Sequence, residues 1–233
     1  AAAKRNTHAP AGSFAVPLTN LAATHVVVPR DLDPTVLAAE EAIRLTDDAW
    51  IFDLPRPAPR AWIVHDVTLL PPLAADATSA DVRRRTVRVW QNGSAWRDLR
   101  NTAAVEAPPD ALPTAIPKVS AESARTAAAD EVCTITRDTP NGVAMAVTLT
   151  SPGLVVLADQ FDDGWRLTVQ SDNDPSERDV PILRTNRVLR GAWLPAGNHR
   201  LSYRYRPTEF FVGAAVSAVA WLALASAVVV TAR

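Results

Sequence analysis

The feature that most constrains this chain is an apolar segment near its C-terminal end. Residues Phe210 to Val230 read FFVGAAVSAVAWLALASAVVV and contain no charged side chain. A helix of this length is about 31 Å long, which matches the ~30 Å hydrocarbon core of a bilayer. Lipid cannot satisfy free backbone groups, so a segment inside it must be helical. We therefore predict a transmembrane helix. The alternative is a helix buried in a soluble core, which is usually shorter and keeps a polar stripe.

Aromatic and small residues accompany this segment. Aromatic side chains collect at the interface between membrane and water, because the rings of tyrosine and tryptophan combine an apolar body with a polar group. Small residues four positions apart allow helices to pack closely, although this spacing arises easily by chance in an alanine-rich helix. The residues predicted to lie in the span or at its interface are Tyr203, Tyr205, Phe210, Phe211, Gly213, Ser217 and Trp221.

Charge and cysteine content exclude several classes of protein. The chain has 24 Lys and Arg against 25 Asp and Glu, so its formal net charge is -1. This balance excludes a protein that binds nucleic acid through bulk positive charge. With 48% hydrophobic residues, the chain has enough apolar material for a core and is not disordered. The single cysteine, Cys133, excludes an internal disulfide framework and a cysteine-cluster metal site. We predict no metal, no cofactor and no nucleic-acid partner.

The region from residue 132 to residue 206 has the pattern of β-strands. Apolar and small or polar residues alternate from Val143 to Leu149, as they do in a strand with one buried face. A continuous apolar run, LVVLAD, begins at Leu154 and is typical of a central strand. Turn sequences rich in proline, glycine and asparagine separate the candidate strands. The pattern predicts a mainly β, β-sandwich-like fold with one or two short helices.

The first 130 residues are less regular. Residues 24–28 and 61–67 are predicted strands, and a helix is predicted from Asp33 to about Leu45 because Asp33 and Pro34 suit its first two positions. A second helix is predicted over 79–90, although valines at its end also fit a strand. The proline-rich residues 107–117 form a linker or an edge crossover. We therefore divide the chain into an α+β part (1–130), a β-sandwich-like part (131–207) and a transmembrane helix with a short tail (208–233).

A few side chains are candidates for catalysis or metal binding. His65 with Asp66, and His199, are the tempting catalytic residues, but no serine has a nucleophile-elbow context and no histidine pair has helical metal spacing. Structural roles are therefore favoured for both histidines, and a place in the core is favoured for Cys133. The acidic residues between Asp172 and Asp179 lack the glycine and ligand spacing of an EF-hand, which favours a solvated hairpin tip over a calcium site. We assign no catalytic residue.

Charge is unevenly distributed in the second half of the chain. Residues 159–179 hold seven acidic side chains against two arginines, whereas residues 180–206 hold six arginines and no acid. The basic stretch adjoins the predicted membrane helix, so it is placed to meet lipid phosphates or a lipid-linked phosphate. The alternative is that the two stretches pair across strands or face water. The residues predicted to contact lipid or phosphate are Arg200, Arg204 and Arg206.

A longer pattern covers residues 153–217. The sequence reads GLVVLADQFDDGWRLTV, then VPILRTNRVLRGAWLPAGNHRLSYRYRP, then EFFVGAAVS. This pattern resembles the C-terminal region of bacterial YfhO-like integral membrane proteins. The shared features are an apolar strand leading to a Gly-Trp pair, an LRxNxxxRG segment, a PAGxH turn and a YxP sequence before a final helix. Asp163 departs from the proline usual in that family, and residues 170–179 replace a short Asp-Gly turn. The resemblance implies turns and strand ends at Gly164, Trp165, Asn186, Arg190, Gly191, Pro195, Gly197 and His199.

The resemblance also implies a function. The chain would be the non-catalytic C-terminal extracytoplasmic domain and last span of a polytopic protein in the bacterial plasma membrane. Such proteins look like GT-C-type glycosyltransferases, which move a sugar from a polyprenyl-phosphate donor to a cell-envelope acceptor, with their catalytic acid near the first membrane helices. The implied partners are the bilayer, the remaining transmembrane helices and a lipid-linked sugar or glycan acceptor. The alternatives are a singly anchored adhesion or carbohydrate-binding β-sandwich and a purely structural assembly module.

Local charge leaves the orientation of the domain open. Three arginines closely precede the predicted helix and only Arg233 follows it, which favours a cytoplasmic domain on a tail anchor if the chain is complete. Earlier helices of a longer protein would override this local charge, and the resemblance places the domain outside.

Overall fold

The computed structural model of this chain describes residues 20–29, 42–44, 49–54, 57–92, 95–108, 130–172 and 174–231. Two helices lie entirely within these residues, α1 (Ser79–Trp90) and α2 (Thr208–Thr231). The strands of the first half are β1 (His25–Pro29), β2 (Ala42–Arg44), β3 (Ala49–Asp53), β4 (Ala61–Val64), β5 (Asp66–Leu70), β6 (Gln91–Asn92), β7 (Ala95–Trp96) and β8 (Thr102–Glu106). Those of the second half are β9 (Val132–Thr139), β10 (Gly142–Leu149), β11 (Gly153–Gln160), β12 (Trp165–Ser171), β13 (Asp174–Val180), β14 (Leu183–Thr185), β15 (Leu189–Leu194) and β16 (Gly197–Tyr205).

Two large sheets form a mainly β, sandwich-like fold, as predicted. The five-stranded sheet has the order β13-β12-β16-β10-β9, and the six-stranded sheet has the order β4-β11-β15-β14-β8-β5. Their facing sides share one core, to which β10 contributes every second residue from Val143 to Leu149. The alternation in the sequence of β10 therefore corresponds to one buried and one outward face. A three-stranded sheet (β1-β3-β2) and a short ribbon (β6-β7) complete the described strands.

The six-stranded sheet curls so that its two edges come together. Its edge strands β4 and β5 are consecutive in the chain, and only His65 lies between them. The curled sheet encloses a second core on its other face, where Trp62 and Val64 pack with Val105 and Leu154. The first five residues of β11 are buried because this strand has a core on each side. This is the physical reason for the continuous apolar run in its sequence.

The predictions for the first half have mixed outcomes. The strand predicted over 24–28 is β1, and the helix predicted over 79–90 is α1, which begins with a capping box between Thr78 and Asp81. The single strand predicted over 61–67 is wrong, because the chain leaves one edge of the sheet at Val64 and joins the other at Asp66. The helix predicted from residue 33 to about residue 45 is wrong at residues 42–44, because these form strand β2. Its other residues lie outside the described part. Most of the 107–117 linker also lies outside it.

The predicted boundary at residue 130 does not separate two sheets. The six-stranded sheet combines β4, β5 and β8 from one side of that boundary with β11, β14 and β15 from the other. The β5–β8 pair is parallel and the other pairs in this sheet are antiparallel. The six-stranded sheet has a hydrophobic core on each face. Both cores therefore contain strands from before and after residue 130.

The segment between β14 and β15 explains most of the LRxNxxxRG pattern. Asn186 and Arg187 have positive φ angles of 47° and 75°, which make the tight turn. The Asn186 side-chain oxygen accepts a hydrogen bond of 2.8 Å from the Ala104 N–H, and its carbonyl accepts one of 3.1 Å from Trp90 Nε1. A Cβ on Gly191 would lie 2.2 Å from Thr185 Oγ1, so this position admits only glycine without rearrangement. These residues thus define the fold of the sheet.

Helix α2 follows β16 after only two residues. Its large apolar side chains from Phe210 to Leu224 are more than half exposed, and its first turn contains Glu209. Among the residues whose side chains the structure describes, which include only part of α2, no helix is long and apolar enough to span a membrane.

Candidate ligand-binding site

A pocket of about 590 Å³ opens at one end of the sandwich, between the two large sheets. This is the end where β16 leads into α2, because Trp165 of the pocket pairs with Tyr205, the last residue of β16. The Arg206 N–H also donates a hydrogen bond of 2.7 Å to the Gly164 carbonyl beside it. We call it the Arg60 pocket; its lining residues are Arg60, Asp138, Thr139, Pro140, Val143, Ala158, Asp159, Gln160, Trp165 and Arg190.

Arg60 links the two sheets across this pocket. Its Nε and Nη2 donate hydrogen bonds of 3.0 and 3.1 Å to the two carboxylate oxygens of Asp159, which follows the buried part of β11. Its Nη1 and Nη2 also reach the carboxylate of Asp138 on β9, the second at 3.2 Å. The hydrogen bonds from Arg60 to Asp159 and Asp138 raise the pKa of the guanidinium. The side chains of Arg60 and Asp138 are 40% and 49% exposed, so a ligand in the pocket can reach both.

Arg190 and Trp165 form the inner wall of the pocket. The Arg190 guanidinium lies 3.7 Å from the centre of the Trp165 ring, and its Nε donates a hydrogen bond of 2.9 Å to the Gln160 carbonyl. Burial lowers the pKa of Arg190, although the nearby Asp159 carboxylate acts in the opposite direction. Arg190 Nη1 lies 3.7 Å from an Asp159 carboxylate oxygen. Among the described residues, neither Arg190 Nη1 nor the buried Tyr203 Oη has a hydrogen-bond partner.

The pocket combines hydrogen-bond donors, acceptors and an aromatic edge. The guanidinium of Arg60 donates only, the carboxylates of Asp138 and Asp159 accept, and the Gln160 amide does both. A ligand that fills such a site needs several groups that can donate and accept at once, together with apolar C–H surface. Sugar hydroxyl groups on a pyranose ring have these properties. The arrangement is therefore suited to binding a carbohydrate.

The structure places both candidate histidines in structural networks away from this pocket. His65 is buried, its Nε2 lies 2.8 Å from a Glu131 carboxylate oxygen, and its Nδ1 lies 3.1 Å from the Pro152 carbonyl. Ser151 Oγ is farther from Nδ1, at 3.4 Å, so the nearer carbonyl is the ring's partner on that side. His199 is also buried, between Ser171 Oγ at 2.8 Å and the Pro195 carbonyl at 2.9 Å. Neither histidine has the exposed position of an acid–base catalyst.

The other candidate chemical groups also have structural surroundings. Cys133 on β9 packs against the shared core, and burial raises its pKa to about 12, which matches the prediction of a core residue. Asp66 is exposed at the start of β5. The hairpin tip predicted over Asp172 to Asp179 is wrong for residues 174–179, which lie in strand β13, although every one of these residues is exposed as expected. Within the described part of the chain, no group of three His, Cys, Asp or Glu side chains could hold a metal ion.

The predicted interface residues separate into two groups. Tyr203 is 1% exposed and lies in the shared core, so its placement at the membrane interface is wrong. The reason is the alternation of β16, which turns Tyr203 inward. Tyr205 is half-buried and its ring lies 5.2 Å from that of Trp165. The remaining predicted positions on α2 are exposed or open: Phe210, Phe211, Gly213, Ser217 and Trp221.

The predicted lipid-contacting arginines are all exposed. Arg200 and Arg204 point outward from β16, and Arg206 follows that strand. The acidic strand β13 pairs with β12 and not with β16. The two stretches nevertheless meet across strands, because β12 belongs to the acidic stretch and pairs with β16. Contact of these arginines with lipid or phosphate stays a prediction.

The comparisons with known proteins add no identification. No protein-family model, curated protein or solved structure matches this chain. The resemblance to YfhO-like proteins therefore stays a prediction. No sequence pattern predicts the Arg60 pocket, because Arg60, Asp138 and Asp159 are far apart in the chain and form no local motif.

Proposed function

We propose that this chain is a non-catalytic, membrane-anchored β-sandwich module that binds a glycan in the Arg60 pocket. The observation that carries this proposal is the accessible pair of Arg60 and Asp138 beside Trp165, at the end of the sandwich next to α2. Charged donors and acceptors that already hold one another in position can bind sugar hydroxyls without first being ordered. The pocket volume of about 590 Å³ lies within the usual range for small ligands.

The same proposal includes the membrane anchor and the parent protein. Helix α2 is 24 residues long, carries one charged residue, Glu209, in its first turn, and exposes apolar side chains along its described length. Exposed apolar surface of this kind is favourable only against lipid or other apolar helices. In this proposal the module is the C-terminal extracytoplasmic end of a glycosyltransferase-like protein of the bacterial plasma membrane. Its partners are the bilayer, the other transmembrane helices and a lipid-linked sugar or acceptor glycan.

A glycan array tests the binding function. The full chain in nonionic detergent micelles is applied to printed neutral oligosaccharides of glucose, mannose, galactose and rhamnose. Asp138→Asn removes the exposed charged acceptor and should weaken retention by about tenfold, the value of one charged hydrogen bond. Asp179→Asn removes an exposed carboxylate on β13 outside the pocket and is the matched control. Absence of any retained sugar, or equal retention by the Asp138→Asn protein and the parent, would contradict glycan binding and favour a purely structural module.

Extraction and protease experiments test the anchor and its orientation. The double substitution Val216→Arg and Val219→Arg places two charges at exposed positions of α2 and should cost about 5–7 kcal/mol inside a bilayer. This variant should move from the membrane pellet to the carbonate supernatant, whereas the matched leucine variant should stay in the pellet. Release of the parent chain by carbonate would exclude a span. Protease outside intact cells should cleave near the exposed Asp172, and protection there would place the domain inside.

A further inference from the structure

The outer face of the five-stranded sheet carries a second, separate surface of interest. Two adjoining hollows of about 350 and 300 Å³ lie on it and share Ala144 and Ser202. Small side chains on β10 and β16 form their floor, namely Ala144, Ala146 and Ser202, and Ala144 pairs with Ser202. Together the hollows make one groove that crosses the middle of the sheet. We call it the Arg200 groove.

Three arginines surround this groove, and their side chains have no partner in the described part of the chain. Arg200 lines one hollow, Arg137 and Arg204 line the other, and all three are exposed. None of their side chains makes a hydrogen bond or ion pair with a described residue. Glu177 is the acidic residue that lines the groove. The positive charge on this face is therefore not used to stabilise the sheet.

The cross-strand register adds to the unused positive charge. Arg204 lies directly opposite Arg166 of β12, and like charges in this position destabilise a sheet. The Arg166 guanidinium donates to the carbonyls of Asp163 and Trp165, so no carboxylate among the described residues neutralises this pair. A surface that keeps like charges together at a cost in stability is suited to an anionic ligand.

The spacing of the arginines favours a chain over a single anion. Arg200 and Arg204 are four residues apart on one strand, about 13 Å, and Arg137 is two strands away, about 10 Å. Arg137 pairs with Ala144 and is thus level with Ser202, between the other two. Successive negative groups on an extended polymer can meet the three guanidinium groups one after another.

We infer that the Arg200 groove binds an acidic polysaccharide, whose carboxylate or phosphate groups pair with Arg137, Arg200 and Arg204. A recessed groove fits a linear chain better than it fits the flat surface of a bilayer. Exposed acids also lie at the end of the sheet nearest α2, where Asp162, Asp163 and Glu209 reduce its attraction for anionic lipid. This inference goes beyond the proposed function, because it concerns a charged ligand and a different surface from the Arg60 pocket.

Polygalacturonate and its methyl ester are the matched probes, because they differ in charge and share a backbone. The full chain in nonionic detergent micelles is titrated against each polymer by biolayer interferometry at low and moderate salt. We expect the chain to bind polygalacturonate at least about tenfold more tightly than the ester, with a strong salt dependence. Equal binding of the two polymers, or no binding of either, would overturn the inference.

Two triple variants locate the binding. Arg137→Gln, Arg200→Gln and Arg204→Gln together should weaken polygalacturonate binding at least about tenfold. Arg83→Gln, Arg84→Gln and Arg88→Gln together remove the same charge from exposed positions of α1 and should change it less than about twofold. An equal loss in both variants would mean that bulk charge binds the polymer and would overturn the inference. Both variants are checked by urea unfolding against the parent.

Two further arms separate this inference from its rivals. Preferential binding to phosphatidylglycerol vesicles or to duplex DNA, with loss in the groove variant, would identify a different ligand and overturn the polysaccharide assignment. Asp138→Asn leaves the Arg200 groove intact, so it should weaken neutral sugar binding and not polygalacturonate binding. The triple variant of Arg137, Arg200 and Arg204 should instead weaken polygalacturonate binding and leave neutral sugar binding unchanged. Failure of the Arg60 pocket and failure of the groove are therefore distinguishable.

Discussion

The buried ion pair between Arg187 and Glu106 gives the sharpest prediction on stability. Arg187 Nη1 lies 2.8 and 2.6 Å from the two carboxylate oxygens of Glu106, and the two side chains are 10% and 4% exposed. The Nη1 atom of Arg85 is 3.8 Å from the same carboxylate, which is too far for a hydrogen bond. Arg187→Met therefore leaves a buried carboxylate beside one distant cation. Breaking a buried pair costs about 3–5 kcal/mol, and we expect the lower end because Arg85 compensates in part.

Urea unfolding of the full chain in detergent micelles, followed by tryptophan fluorescence, measures this loss. The double variant Arg187→Met and Glu106→Gln should be more stable than Arg187→Met alone, because it no longer buries an uncompensated charge. Arg85→Met should cost less than Arg187→Met, since Arg85 makes no hydrogen bond to Glu106. An Arg187→Met protein within about 0.5 kcal/mol of the parent would refute the reasoning, because surface substitutions produce changes of that size.

Three further predictions concern other contacts. Gly191→Ala puts a Cβ 2.2 Å from Thr185 Oγ1 and should cost about 1–3 kcal/mol in urea unfolding; adding Thr185→Ala should restore part of that loss, and an unchanged Gly191→Ala protein would contradict the contact. Burial raises the pKa of Glu131, but hydrogen bonds from His65 and Thr150 outweigh it and hold the pKa below its usual value. The stability that this carboxylate contributes is complete above about pH 4.3 and is lost as the pH falls through the lower pKa of the folded state. The stability of the Glu131→Gln variant should therefore depend less on pH in the acid range than that of the parent. Parallel acid unfolding profiles of the two proteins would argue against this role. Burial raises the pKa of Cys133 to about 12, so iodoacetamide at about pH 8 should label the folded chain much more slowly than the urea-unfolded chain, and equal rates would disprove its burial.

Local patterns in the sequence were sufficient to predict the β-rich half of the fold. The period of two in β10 and the continuous apolar run in β11 are direct consequences of burial on one face and on two faces. The cap of α1 is also local, because Thr78 and Asp81 bind each other's backbone within one turn. Residues of β16 alternate in the same way, and this period turns Tyr203 into the core although it lies close to the apolar helix in the sequence.

The remaining features depend on residues that are distant in the chain. The Arg60 pocket joins β9, β11 and the residue before β4. Its charged residues are far apart in the sequence, so no short window contains two of them. The partner of His65 is Glu131, which no spacing rule connects to it. The break at His65 was missed for a related reason. The residues on both sides of it suit a strand, and only the curl of the whole sheet divides them.

The connection through His65 also has consequences for the order of folding. β4 pairs with β11, and β5 reaches the rest of its sheet only through β8 and β14, so the first half of the chain depends on strands made much later. Non-local pairings of this kind carry a large loop-closure cost and fold slowly. During synthesis, Trp62 and Val64 emerge before their core partners on β11 have been made. Their apolar side chains therefore remain exposed and can form non-native contacts. A chain that stops before β15 should aggregate, because β15 links β11 to β14 and its loss leaves both strands with an unpaired edge.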